Sequence, residues 1–405
     1  MPGPRPLILE PSDLALCDGA CAFLQSGFWG RFKARFGWEA LPFLVRWEGG
    51  AETPLLVLSR PLAPGFGLAY VPWGPQLPPE SQQPPESQQP PESQQPPELQ
   101  QPGTQAPGTG AQVLALLAGL LRPRLQRNTA LIRFDPPWYS RGPAAEPPFI
   151  GPPLVKAPSN VQAPDTVLVD LRPPPEHILA GMKPKWRYNI GLAEKKGVTV
   201  RRFFAGGADT IPGAARPGPA LTGETGQALA QFYTLLQETA TRDGIAVHGF
   251  DYYRGLFAHA AEYRAPHRTA PPDVRLYLAM YQDQPLAGIV TLFRASQAVY
   301  LYGASSSLYR NVMAPYALQW AAMQDARESG CEHYDLFGIP PSPDPSHPMS
   351  GLYRFKTGFA AGEEGIIHRP GSWDYPCRPL PARLFRIAEG LRKRLMDRGK
   401  GRINT

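Results

Sequence analysis

At 405 residues the chain is long enough for two medium-sized domains, each with its own core. Its 42% hydrophobic and 10% aromatic content is ordinary for a globular protein, but its 51 prolines are not. The net charge of +7 suits a partner rich in phosphate, and does not by itself choose among RNA, a nucleotide-linked precursor and an anionic lipid surface.

No apolar run approaches the ~20 residues a membrane helix needs; the best, Val113 to Leu121, falls far short. The opening MPGPRPLILEPSD lacks the charged, apolar, then small-residue order of a signal peptide, so a cytoplasmic protein is expected. Cys17 and Cys21 lie four apart, while Cys331 and Cys377 are isolated. Without a C-x-x-C hook or further ligands no metal is expected, and buried free thiols are.

Along the chain, Pro6 to Glu10 reads as a strand and Ala20 to Phe36 as a helix carrying Phe28, Trp29, Phe32 and Phe36. Strands follow at Leu41–Trp47 and Leu55–Ser59. Residues 77–110 repeat PPESQQ three times and then PPELQQ. Such a segment buries too little apolar area to offset ordering, so it reads as a disordered or polyproline insertion in a surface loop. An apolar helix at Gln112–Leu121 and a strand at Ala130–Phe134 follow, the strand ending at Asp135-Pro136-Pro137. The proline-rich stretch Pro143–Pro164 is the natural domain boundary.

A second pattern opens with a strand at Thr166 and a helix started by Pro175. A basic helix, Lys183–Lys196, is stopped by Gly197, and a strand runs Val198–Phe204. Gln227–Thr241 is helical, with Leu229, Phe232, Leu235 and Leu236 on one face. Three strands follow at Val274–Tyr281, Leu286–Phe293 and Ala298–Tyr302, then a helix at Pro315–Ser329 and a strand at His333–Phe337. This order is similar to that of a GNAT-type acyltransferase domain, and the mixed first half suggests a duplicated fold. The expected class is α/β with two tandem GNAT-like domains, residues 1–165 and 166–354. Residues 355–405 then form a C-terminal segment whose basic helix after Pro381 packs back on the first domain.

Three segments, in this order and over nearly the whole chain outside the insertion, carry a family likeness. The first is Phe23-Leu24-Gln25-Ser26 with Trp29, Lys33 and Gly37-Trp38. The second is Lys183-Pro184-Lys185-Trp186-Arg187-Tyr188-Asn189-Ile190, running into Ala193-Glu194-Lys195-Lys196-Gly197-Val198. The third is Tyr302-Gly303-Ala304-Ser305-Ser306, with Gln319-Trp320, Tyr334-Asp335, Gly338 and Gly351-Leu352-Tyr353-Arg354-Phe355-Lys356-Thr357-Gly358-Phe359. Together they resemble the FemABX family of aminoacyl-tRNA-dependent peptidyltransferases. The resemblance implies the transfer of glycine, alanine or serine from an aminoacyl-tRNA to the side-chain amine of a peptidoglycan precursor, lipid II or UDP-MurNAc-pentapeptide. It implies two GNAT-like domains with the acceptor between them and no cofactor. Nothing between Gly226 and Val274 is long enough for the helical arm of some members, so the compact form is expected.

The resemblance assigns Lys33, beside the aromatics Trp29 and Trp38, and Arg187 to the acceptor's phosphates. A guanidinium suits that task through two parallel hydrogen bonds. Tyr302 would line the acceptor site. Phe355-Lys356 matches the pair at the donor end, where an ammonium would stabilise the tetrahedral oxyanion and Phe355 would stack on a base. Lys356 and Arg354 would also meet tRNA phosphates. The attacking amine must lose a proton, since a free lysine-type amine has a pKa of about 10.4. Asp135 is the candidate base and Asp335 the reserve, with substrate phosphate a third route. Each residue also has a plain structural reading: solvated helix faces for Lys33 and Arg187, core packing for Tyr302 and Phe355, strand-end caps for the two aspartates.

Two other classes remain open. An acetyl-coenzyme A enzyme acting on a small amine needs a glycine-rich turn before a helix, but Tyr309 to Pro315 has no glycine and Pro315 removes a donor. A non-catalytic RNA- or anionic-surface-binding protein would use the basic tail, Arg383 to Arg402, and leave Arg187 and Lys356 idle. With a lipid-linked acceptor the same tail would serve as a peripheral contact at the inner membrane face.

Overall fold

The computed structural model describes residues 4–63, 65–78, 110–142, 145–205, 223–263, 271–360, 362 and 364–402, with side chains up to 394. The expected insertion at 77–110 lies outside the described residues apart from its ends. Those ends are ordered: Leu77 is buried, and Gly110 opens a helix.

In chain order the elements are β1 (Pro6–Pro11), α1 (Gly27–Ala34), β2 (Glu39–Trp47), β3 (Glu52–Ala63), β4 (Phe66–Val71), α2 (Gly110–Leu121), β5 (Thr129–Phe134), β6 (Ser140–Arg141) and β7 (Val155–Lys156). Then come β8 (Asp165–Asp170), α3 (Pro175–Gly181), α4 (Pro184–Lys195), β9 (Thr199–Phe204), α5 (Glu224–Asp243), α6 (Phe250–Tyr263), β10 (Asp273–Tyr281), β11 (Gln284–Arg294) and β12 (Gln297–Ser305). The last are α7 (Ala314–Glu328), β13 (His333–Asp335), α8 (Ser350–Thr357), β14 (Ile366–His368), β15 (Trp373–Pro376) and α9 (Pro379–Arg402). The chain divides into two units: one of 1–140, 144–164 and 368–405, the other of 141–143 and 165–367.

The first unit is built on a sheet of order β1-β2-β3-β4-β5-β15-β7. β4 and β5 run parallel, and α2 supplies the crossover that parallel neighbours need. α2 buries Val113, Leu114, Leu117, Ala118 and Leu121, an apolar stripe at helical spacing. The long helix expected over Ala20–Phe36 is instead two short 3-10 turns followed by α1. Gln25 explains the break. Its amide is buried, accepting from Leu56 N (2.8 Å) and donating to Leu56 O (3.1 Å) and Pro72 O (2.6 Å), so it serves as a strand partner. The helix starts afresh at Ser26, whose hydroxyl accepts from Trp29 N.

The second unit's sheet has the order β6-β14-β8-β13-β12-β11-β10-β9. β9 to β12 pair antiparallel, and α7 carries the chain from β12 to its parallel neighbour β13. One face is covered by α3, α4, α7 and α8 through Ile178, Ile190, Leu318 and Tyr353. On the other, α5 seats Phe232 against Gly288 of β11. α6, unread in the sequence, follows α5 there and buries Tyr252, Tyr253, Leu256, Phe257, Ala260 and Tyr263 at helical spacing.

The C-terminal segment expected from Phe355 leaves the second unit only at His368. Phe355 and Phe359 pack in the second core and hold α8 there. α9 lies against β5 and β15 of the first unit, with Ala382 beside Leu68 and Leu131. The mixed α/β class with tandem GNAT-like domains is as expected. Among the described residues no helix pair extends into a long arm.

Candidate functional site

The second and third sequence segments meet in space. The Trp186 ring of α4 sits on Gly358 at the end of α8; a Cβ there would lie 2.2 Å from Trp186 Cε2. Trp186 Nε1 donates to Phe355 O (2.8 Å), and Lys183 N to Gly358 O (3.0 Å). Tyr316 and Phe359 pack edge-on to Phe355, with centroids 5.2 and 5.1 Å away. Phe355 is thus half-buried in an aromatic wall, and Arg354 beside it is exposed.

Lys356 points the other way and is only 6% exposed. Its Nζ donates to the carbonyls of Phe337 (3.1 Å) and Gly338 (2.9 Å) and lies 4.9 Å from the centroid of Tyr300. Burial pulls its pKa down to about 7, a fall that the nearby Asp335 only partly opposes. Asp335 is itself buried at the end of β13, accepting from Phe337 N (2.7 Å) and from the Thr166 hydroxyl. Phe337 takes a left-handed backbone (φ 55°), so the ammonium and the carboxylate pin a strained turn from both sides.

Tyr300 and Tyr302 are two apart on β12 and would share a face of a regular strand. They do not. Tyr300 pairs with Thr291 and Tyr302 with Val290, so Leu301 is a bulge and the alternation inverts. Tyr300 joins Lys356, its hydroxyl so close to Gly303 that a Cβ there would lie 1.7 Å away. Tyr302 turns to the opposite face, edge-on to Tyr253 (5.1 Å) and within 3.4 Å of the Tyr252 hydroxyl. Tyr252 in turn stacks on His248. Arg187 is exposed on α4, with Nη1 donating to Ala180 O (2.9 Å) and to Met182 O. That nitrogen caps the end of α3.

The remaining predicted residues are in the first unit. Lys33, in the last turn of α1, is half-buried 5.7 Å from the Trp29 ring. Its pKa falls to about 8, first through burial and then through the Arg60 guanidinium. Arg60 lies over Trp38 (5.0 Å), and Trp38 packs at 6.3 Å from Tyr70. The Tyr70 hydroxyl donates to Asp135 (2.5 Å). Asp135 also accepts from Gln162 N (3.2 Å) and the Ser372 hydroxyl. Burial raises the Asp135 pKa, while these three donors hold it back. To act as a base it would have to give one of them up.

The structure thus groups Lys356 with Asp335, and Lys33 with Trp38; Arg187, Tyr302 and Asp135 each have separate partners. Sequence reasoning missed Arg60 and Tyr300. Neither lies in the segments that carry the family likeness, and the bulge at Leu301 that turns Tyr300 toward Lys356 leaves no mark in the sequence. Three thiols are buried and Cys21 is exposed, contrary to expectation. Among the described residues no group of three His, Cys, Asp or Glu side chains is placed to hold a metal, and no helix is long and apolar enough to cross a membrane. The turn before α7, where an acyl-coenzyme A enzyme would place glycines, has Tyr309 and Met313 in left-handed backbone and Pro315 in the first turn.

A family model described as "FemAB family" matches residues 149–262 and 275–390, more than half of the chain. Proteins named lipid II:glycine glycyltransferase are 36% identical in Staphylococcus saprophyticus and 33% in Staphylococcus haemolyticus, each over 110 residues. Those matches take in 27% of this chain and span only 25% of the relatives' length. A crystal structure of FemX superimposes over 92% of this chain and 98% of its own, with a TM-score of 0.62 at 16% identity, a likeness of fold.

Proposed function

Because this chain belongs to the FemAB family, we propose that it is an aminoacyltransferase that extends the side-chain amine of a peptidoglycan precursor with an amino acid carried as an ester on tRNA. Glycine is the first candidate for the transferred residue, since the matched relatives are named as glycyltransferases, with alanine and serine behind it. The precursor is lipid II or UDP-MurNAc-pentapeptide. In the reaction the amine attacks the ester carbonyl, a tetrahedral oxyanion forms and the ribose oxygen leaves. The ester supplies the activation, so no nucleotide hydrolysis is needed.

The observation that supports this reading best is the interlock of two family segments, Trp186 on Gly358, beside a desolvated Lys356. An ammonium held on two carbonyls in a water-poor place acts on developing negative charge more strongly than one in water. Lys356 is assigned that electrostatic task at the donor end, together with support of the Phe337–Gly338 turn. Arg354, exposed nearby in sequence, is assigned to tRNA phosphates, and Phe355 to the wall beside them. Lys33 and Trp38, with Arg60 added, are assigned to the acceptor's phosphate and sugar. Burial first, and then the Arg60 guanidinium, lower the Lys33 pKa, and an arriving anion would offset both. Arg187 and Tyr302 remain acceptor candidates. Asp135 is assigned as a brace, which leaves substrate phosphate as the proton acceptor.

The test is an in vitro transfer assay with charged tRNA pools against both precursor forms, the product followed by mass. Lys33→Met is expected to raise the acceptor KM about tenfold or more, the scale of one charge-assisted contact. Lys356→Met is expected to lower kcat. Product from acetyl-coenzyme A, or none from any charged tRNA with either acceptor, would refute the proposal.

A further inference from the structure

α9 has two dissimilar faces. The inner one packs on the first unit: Ala382 lies beside Leu68 and Leu131, Phe385 stacks on Phe66 (5.3 Å), and Glu389 takes two hydrogen bonds from Arg133 (2.7 and 2.8 Å). The outer one carries Leu380, Leu384, Ile387 and Leu391, at steps of four, three and four, hence in a single line. They are 68%, 58%, 50% and 54% exposed. A helix that already packs by its other side has no need of four aliphatic side chains facing water.

Charge lies on both sides of that line. At 3.6 residues per turn, Arg383 and Arg394 fall on one flank and Arg392 on the other, all exposed. Glu389, the one carboxylate among the described side chains of this helix, is turned inward to Arg133. The sequence adds Arg398, Lys400 and Arg402 beyond, against a single Asp397.

We propose that this face of α9 is a docking surface for an anionic phospholipid bilayer, lying in the plane of the interface with its aliphatic line in the acyl boundary and its arginines at the headgroups. Apolar line and cationic flanks together are what such a surface rewards. RNA would use the cations and leave the leucines without a role. A second copy of the helix would bring arginine flank against arginine flank.

The test uses the full chain and lipid alone, so its outcome is independent of any transferase activity. Vesicles of phosphatidylcholine, with and without roughly 30% phosphatidylglycerol, are sedimented with the protein. The protein is expected to pellet with the anionic vesicles and to stay in solution with the neutral ones. Leu384→Gln/Ile387→Gln/Leu391→Gln should weaken partitioning by on the order of tenfold or more. Arg383→Gln/Arg392→Gln/Arg394→Gln should weaken it similarly and flatten its salt dependence. All six side chains are exposed, and an unchanged melting midpoint shows that the fold is kept. Three results would overturn the proposal: no binding to anionic vesicles, unchanged binding by the aliphatic triple variant, or a dimer in solution that this variant splits. Retention of bulk tRNA that depends on the arginines but not on the leucines, without vesicle binding, would assign the face to RNA instead.

Discussion

Lys356→Met tests the burial of the ammonium through its effect on stability with pH. A base whose folded pKa lies below its unfolded value destabilises the fold most below the folded pKa, and less as pH rises toward the unfolded one. For Lys356 the two values are about 7 and 10.5. The unfolded chain therefore holds a proton that the folded chain has released over that window, and folding stability should climb with pH through it. Integrating the linkage between pH 7 and pH 9 gives a gain of about 2 kcal/mol from this group. Below pH 7 the contribution flattens, because both states are then protonated. The methionine variant lacks the group and also leaves the carbonyls of Phe337 and Gly338 without their donor, an offset that does not vary with pH. The quantity to measure is the difference in unfolding free energy between wild type and variant, from urea titrations at pH 7, 8 and 9. The wild type should gain about 2 kcal/mol on the variant across that range. A difference that stays constant to within about 0.5 kcal/mol would refute the reasoning, since it would mean an ammonium with an ordinary pKa.

Three further outcomes are expected. Gly303→Ala should cost about 1–3 kcal/mol of stability in a thermal or urea melt, because the new Cβ meets the Tyr300 ring as well as its hydroxyl; Tyr300→Phe should not rescue it, as Tyr300 Cζ would still lie 2.5 Å away. Glu389→Ala should destabilise by about 1–3 kcal/mol, read by chemical denaturation, since it removes two charge-assisted hydrogen bonds from the nearly buried Arg133 while Asp374 remains to compensate its charge. Asp135→Asn should lower stability by about 1–3 kcal/mol while keeping most of kcat; a loss of turnover beyond about a hundredfold in a folded variant would restore it as the base.

Regular periodicity made most of the fold legible. The three-strand run from Val274 to Tyr302 and the helix from Pro315 were read to within a few residues, because apolar patterning and the Asp283 turn mark them locally. Ala20–Phe36 misled because aromatics at helical spacing hid a glutamine serving as a strand partner. β4 went unread because it is buried from Gly67 onward and its Phe-Gly-Leu-Ala-Tyr-Val run does not alternate. Among site candidates, the family likeness was enough to single out Lys356 but not to show that it is enclosed, since enclosure depends on Tyr300 and Phe337, which lie 56 and 19 positions away. Asp135 was equally visible, yet the donors that occupy it come from Tyr70, Gln162 and Ser372, scattered along the chain.

The extra residue at Leu301 has a consequence for anyone exchanging parts between relatives. Up to Tyr300 every second side chain of β12 belongs to the lysine's side of the sheet; from Tyr302 on, the odd and even positions trade places. Deleting Leu301 would remove the extra residue and leave Tyr302 opposite Val290 with the downstream layers in place, whereas a chimera laid out as if the strand were regular would assign each downstream side chain to the wrong layer. Grafts should therefore carry Tyr300 through Gly303 as one indivisible piece.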